Sequence, residues 1–162
     1  MSPHQERRLG IEAPHSHLFQ LLSMIIFTSI WILDSLVFSF SIQLNNFIHL
    51  VVRIVIFIIL IAIAYILIRS SNNILFRTPE NKDELITEGI FKHVRHPMYL
   101  GVLLIYLSCN FLSISLISFA IWIIVFIIYD RLATYEEKQL ETLFKEKFLE
   151  YKKKVPKWIP HK

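Results

Sequence analysis

The chain has 162 residues, 54% of them hydrophobic, with 17 Lys and Arg against 13 Asp and Glu. That length fits one domain, and the single cysteine, Cys109, excludes an internal disulfide. The net charge of +4 does not imply a nucleic-acid partner, because the basic residues flank long apolar runs, where membrane topology accounts for them.

A polar leader (MSPHQERRLGIEAPHSH) precedes the first run, residues 18–41, whose one charge is Asp34. The run is too long for the apolar core of a signal peptide and has no small-x-small site after it, so it is expected to stay as a membrane helix. Residues 47–68 form the second run, with Arg53 as its one charge. Both runs are apolar all round rather than along one stripe, and roughly 20 such residues cross a bilayer core. A charge inside such a run costs about 2.5–3.5 kcal/mol, so Asp34 and Arg53 need partners. They fall at matching depths in an antiparallel helix pair, which predicts an ion pair between them; a polar substrate path is the other reading.

Residues 70–96 (SSNNILFRTPENKDELITEGIFKHVRH) read as a polar loop broken by Pro79 and Gly89, with ELITEG entering a turn at Gly89. Neither GxGxxG nor a Walker loop is present, which argues against a dinucleotide-binding domain. The loop ends in VRHPMYLG. Pro97 suits the first turn of a helix, and His96 before it is driven out of helical geometry. The unpaired N–H groups of that first turn carry the positive end of the helix dipole, and Arg95 and His96 add donors there, so the motif reads as an anion site. Gly101 lies one turn further on the same face, where a ligand or another helix can approach closely. Tyr99 can cover a flat ring or sit at the headgroup level; taken singly, Arg95, His96 and Tyr99 could equally be interfacial anchors.

The third run, residues 98–129, carries no charge, and one helix of that length would be about 48 Å long, too long for a single crossing. NFLSIS is its polar interruption. We therefore expect a short helical hairpin, 97–112 and then 114–129 running on toward Thr134. Four crossings put both termini and the 70–96 loop on one side. The two opposite loops (IQLNN and NFLSIS) lack Lys and Arg, so that side is expected to be cytoplasmic.

From Asp130 the pattern becomes amphipathic, with Leu140, Leu143, Phe144, Phe148 and Tyr151 at helical spacing; it reads as a helix continuing from the fourth crossing or lying on the membrane surface, and it should end before Pro156. Trp158 is expected to anchor at the interface, and Lys152, Lys153 and Lys154 to attract anionic membrane lipid. Glu136 and Glu137 stand a turn or two beyond the fourth crossing, on the side of Arg95. Either they form plain salt bridges with the basic motif, or acid and base form opposite walls of a pocket suited to a zwitterion. The fold class is thus all-α: one polytopic membrane domain over 1–162, with two membrane helices in 18–69, a loop over 70–96, a hairpin over 97–133 and an amphipathic tail over 134–162.

LITEGIFKHVRHPMYLG, a hairpin, EEKQLETLF and EYKKKVPKWIP resemble, in that order over residues 85–160, the isoprenylcysteine carboxyl methyltransferase and phospholipid methyltransferase group of integral membrane enzymes. The resemblance implies S-adenosylmethionine as cofactor. It implies methyl transfer to a lipophilic small-molecule or lipidated acceptor in the membrane, such as a prenylcysteine carboxylate or a phospholipid amine. It carries cofactor binding onto Arg95, His96, Pro97, Tyr99, Gly101, Glu136 and Glu137, with Arg95, His96 and Glu136 nearest the chemistry, and implies no metal; His93, beside the motif, is expected to join the cofactor site. Arg95 would take the cofactor carboxylate and Glu136 or Glu137 its ammonium group. A basic group at His93 or His96 would matter only for an amine acceptor, which must lose a proton. The chain departs from the group in GIFKHVRHP, where GPYRYVRHP is commoner, and at Lys145, where a glycine is usual. The lost glycine leads us to expect a more continuous tail helix. Two other readings are a sterol-reductase-like protein holding NADPH, from whose RHxNYxG motif Met98 departs, and a non-catalytic membrane scaffold.

Overall fold

The structure is a computed structural model and describes residues 15–77 and 85–159. Arg7, Arg8 and Gly10 of the leader, Pro79 of the loop and Pro160 lie outside the described residues. Helix α1 spans Ser16–Ile32 and runs into one π-helical turn, Leu33–Phe38, before a 3₁₀ turn at Gln43–Asn46. Helix α2 spans Leu50–Arg77, a second 3₁₀ turn covers Gly89–Lys92, and α3 spans Pro97–Ser113. Helix α4 spans Leu116–Phe144 and α5 Glu146–Lys154. No strand occurs among the described residues.

Among the described residues, three helices are long and apolar enough to cross a membrane, and α3 is a shorter apolar fourth. At 1.5 Å per residue, α3 reaches only about 25 Å, less than a full bilayer core. The hairpin turn falls where the polar interruption placed it. Ile114 takes left-handed φ 41°, and Ser115 then caps α4 by accepting from Ser118 N at 3.0 Å.

Two boundaries differ from expectation. Helix α2 continues to Arg77 rather than stopping at residue 69, because Ser70–Arg77 contains no glycine or proline. Its extension supports the following turn: Gly89 has φ +56°, and a Cβ there would run into Ile74 Cδ1. Helix α4 runs past Thr134 to Phe144, the tail continuing the fourth crossing as one of its two readings had it, so the border drawn between hairpin and tail lies inside one helix. The tail then breaks at Lys145, with φ 49° and ψ −123°, contrary to the expected continuity. The backbone keeps a glycine-like geometry at the position where glycine is missing.

Helix α2 packs along α3, while α1 packs against α4. Gly101 decides the first contact: a Cβ there would lie 2.6 Å from Ile68 Cγ1 and 3.1 Å from Ala64 O. Its open face is therefore taken by a helix, not by a ligand. The central core joins Phe27, Leu103, Tyr106, Val125 and Tyr129, and a second cluster of Phe148, Tyr151 and Val155 docks α5 onto α4.

Apolar packing alone discriminates poorly between helix neighbours in lipid, so the polar ties carry register. At the hairpin-turn end, Asp34 accepts from Ser41 N (3.1 Å), Ser41 Oγ and Ser115 Oγ. Trp31 Nε1 donates to Cys109 O at 3.0 Å and Ser113 Oγ at 2.8 Å. Arg53 donates from Nη1 to Leu112 O at 2.9 Å. The expected Asp34–Arg53 ion pair does not form. Serine hydroxyls of the loop and hairpin turn satisfy the acid, and the helix-end carbonyl of Leu112 takes one guanidinium nitrogen of Arg53, whose Nε stays buried without a partner.

Candidate functional site

The opposite end of the bundle gathers the basic motif and the acidic pair. Pro97 starts α3, and His96 precedes it with φ −121° and ψ 61°, outside the helical region as a pre-proline residue should be. Because α4 continues unbroken beyond Asp130, Glu136 and Glu137 are carried on a rigid helix past the mouth of α3. Arg95 Nε donates to Glu137 Oε1 at 3.0 Å, and His96 Nε2 lies 3.1 Å from the same oxygen. A carboxylate only accepts, so Nε2 carries the imidazole proton. Tyr99 donates its hydroxyl to Glu136 Oε1, and His96 Nδ1 stands 3.7 Å from Glu136 Oε2. The His96 and Tyr99 rings stack at 5.9 Å with 7° between their planes.

Burial pushes the His96 pKa below its ordinary value, against the raising effect of Glu137. The ring is therefore neutral near pH 7, and its contact with Glu137 is a hydrogen bond rather than an ion pair, while the unprotonated Nδ1, 3.7 Å from Glu136 Oε2, is beyond hydrogen-bond reach.

Arg95 does more than meet the acid. Its Nη1 donates to Lys152 O at 2.9 Å and Val155 O at 2.8 Å, and its backbone N–H to Pro156 O at 3.0 Å. The guanidinium thus clamps the C-terminal segment to the start of α3, and Nη2 takes part in none of these bonds. Trp158 follows the clamp and does not serve as a free interfacial anchor: its ring lies 5.9 Å from His96 and 5.5 Å from Phe126.

Of the residues singled out from sequence, Arg95, His96, Pro97, Tyr99, Glu136 and Glu137 come together. His93 does not; it is exposed after the 3₁₀ turn and makes none of these contacts. Gly101 belongs to the α2–α3 packing. The acid and base walls meet directly instead of facing each other across an open gap. A surface cavity of about 390 Å³ lies beside them, walled by Lys92, Lys147, Tyr151, Lys154 and Val155 among others. Sequence reasoning passes over Asp130 and Lys157, which bond at 2.6 Å within this end of the molecule. Their one signal was that Asp130 is the first charge after a 32-residue uncharged run.

The side-chain set suits a methyl donor built like S-adenosylmethionine. A guanidinium nitrogen outside the internal bonds matches a carboxylate, a carboxylate pair matches an ammonium, and stacked rings match a purine.

Residues 19–147 match the family described as phospholipid methyltransferase. The chain is 37% identical over 86 residues to "Protein-S-isoprenylcysteine O-methyltransferase" of Schizosaccharomyces pombe, covering 49% of this chain and 35% of that one. It is 32% identical over 97 residues to "Protein-S-isoprenylcysteine O-methyltransferase B" of Arabidopsis thaliana, covering 57% of this chain and 47% of that one. The matched parts thus span about a third and about half of these curated relatives. No solved structure matches the chain.

Proposed function

The chain belongs to the phospholipid methyltransferase family, and from that premise we propose that it transfers a methyl group from S-adenosylmethionine to a lipophilic acceptor held in the bilayer. The observation that carries this reading is the convergence of Arg95, His96 and Tyr99 on Glu136 and Glu137, about 40 residues away in the chain, at one end of the helix bundle.

When bound, S-adenosylmethionine supplies a methyl group on a sulfonium, open to in-line displacement. Arg95 receives the donor's carboxylate at Nη2, while its Nε and Nη1 stay on Glu137 and the tail carbonyls. Glu136 receives the ammonium group, with Tyr99 holding one carboxylate oxygen in place. His96, Tyr99 and Trp158 supply the flat surfaces for the base. Glu137 holds the imidazole by its Nε2 proton, which leaves Nδ1 as the unprotonated nitrogen. A carboxylate acceptor needs no base; an amine acceptor could give its proton to Nδ1. Alignment is the main task, since orientation can supply roughly 7–11 kcal/mol of the barrier.

The names of the relatives favour a prenylcysteine carboxylate as acceptor. The lysine-rich loop and tail support a cytoplasmic position for the site and both termini, where the donor is dissolved, while the acceptor enters from the lipid. Titration calorimetry of the detergent-solubilised chain should show binding of S-adenosylmethionine and S-adenosylhomocysteine, and tritiated methyl should pass to N-acetyl-S-farnesylcysteine. Transfer to phosphatidylethanolamine instead would make the acceptor an amine. Binding of NADPH with neither adenosyl compound would overturn the proposal.

A further inference from the structure

Beyond the RHP motif, the acidic pair and Trp158, the function above gives no part to Asp130, Thr134 and Lys157, which meet at this end. Asp130, Thr134 and Glu137 stand at i, i+4 and i+7 of α4 and so share one face. The C-terminal segment 155–158 runs down that face. It starts at the Glu137 level, where Arg95 holds Val155 O and Pro156 O at 2.8 and 3.0 Å. It finishes at the Asp130 level. There Lys157 Nζ donates to Asp130 Oδ1 at 2.6 Å, to Asp130 O at 3.0 Å and to Thr134 Oγ1 at 2.7 Å. Trp158 Nε1 donates to the same Asp130 Oδ1 at 2.8 Å.

Mere docking of a chain end would be served by any of these contacts. The arrangement is more specific. A single carboxylate oxygen takes both donors of the strap, so it fixes the azimuth of the indole as well as the height of the chain. The ring so fixed has His96 on one side, at 5.9 Å, and Phe126 of the membrane part of α4 on the other, at 5.5 Å. Trp158 therefore closes the space between the head of α3 and α4, beside the one imidazole that Glu137 orients. Lys157 is also near enough for its charge to be felt at both His96 and Glu137.

We propose that Asp130 is a positioning residue: through Lys157 and Trp158 it holds the 155–158 strap against His96, and so sets the wall on which the adenosyl part of the methyl donor rests. This rests on the proposed methyl-donor site. Asp130 touches neither donor nor acceptor; it acts through the strap, as supporting residues do when they lock those that contact a ligand.

The test uses the full chain in detergent and reads three quantities: hydrogen exchange at Lys157 and Trp158, affinity for S-adenosylmethionine by calorimetry, and melting temperature. Asp130→Asn should speed exchange at those amides at least about tenfold and weaken donor affinity about tenfold, the scale of one lost charge-assisted hydrogen bond. Melting should move little, because the Arg95 clamp and the Phe148–Tyr151–Val155 cluster remain. Lys157→Arg, which keeps a cation for Asp130, should stay within about twofold of wild type in affinity. Lys157→Met reads the same latch from its other partner and replaces Asp130→Asn if that chain does not fold. Unchanged exchange, or faster exchange with wild-type donor affinity, overturns the positioning role while the methyl-donor site stands. A wild-type chain that binds no S-adenosylmethionine takes down the parent reading, and the positioning role with it.

Discussion

Arg95 is the most heavily used side chain of the site, yet most of its bonding is structural. Both it and Glu137 are nearly buried, with side-chain exposures of 9% and 6%. Removing one partner of such a pair strands a charge, which costs about 3–5 kcal/mol. Glu137→Gln should therefore lower the melting temperature strongly in detergent. Glu136→Gln, whose amide oxygen can still accept from Tyr99, should barely move melting but weaken S-adenosylmethionine binding about tenfold, as loss of a charged contact to an ammonium should. Equal effects of both changes on melting would mean that the two acids do not divide the work this way. His96 adds a pH dependence whose sign follows from its burial. The unfolded chain takes up the imidazole proton near 6.5, and the folded chain only at lower pH. Unfolding thus binds a proton between those two values, so stability is level above about pH 6.5 and declines on acidification below it. Melting temperature measured from pH 8 to pH 5 should fall over the acid half of that range, and His96→Gln should flatten the curve.

At the level of elements, the ends of helices carry the information that composition alone did not. Lys145 adopts φ 49° and ψ −123°, a region essentially reserved for glycine, and holding it there costs on the order of 1–3 kcal/mol. The break survives because the 148–155 side chains bury themselves against Leu85, Leu140 and Phe144, which a straight continuation of α4 would prevent. Lys145→Gly should therefore raise the melting temperature by a few degrees with the fold unchanged, whereas Lys145→Ala should not; a neutral glycine variant would mean that the junction carries no strain. Long-range packing overrode the local preference for helix, which is why the break could not be read from EEKQLETLFKEKF. The hairpin turn was legible because a chargeless run of 32 residues cannot cross once, and NFLSIS was its one polar interruption. The extension of α2 to Arg77 was not, since a polar sequence without glycine or proline reads the same as loop or as solvated helix.

Across the whole molecule, crossings follow from one-dimensional hydrophobic length, whereas polar partnerships depend on helix rotation and register. Hence the chain's membrane class, and the meeting of the RHP motif with the acidic pair, were legible, but the partners of Asp34 and Arg53 were not. Depth matched them; azimuth separated them. The bundle is tied at both ends, by the Asp34–Ser41–Ser115 set near the hairpin turn and by the Arg95 and Asp130 sets near the motif. Only the second end holds the residues assigned to the methyl donor, so stability and binding should separate along the long axis. Asp34→Asn should lower melting and leave S-adenosylmethionine affinity as in wild type. Because Arg53 bonds to Leu112 O and not to the acid, Asp34→Asn and Arg53→Gln should add in melting free energy to within about 0.5 kcal/mol. A coupling beyond that would restore the ion pair, and a loss of donor affinity in Asp34→Asn would extend the functional region through the bundle to the hairpin turn.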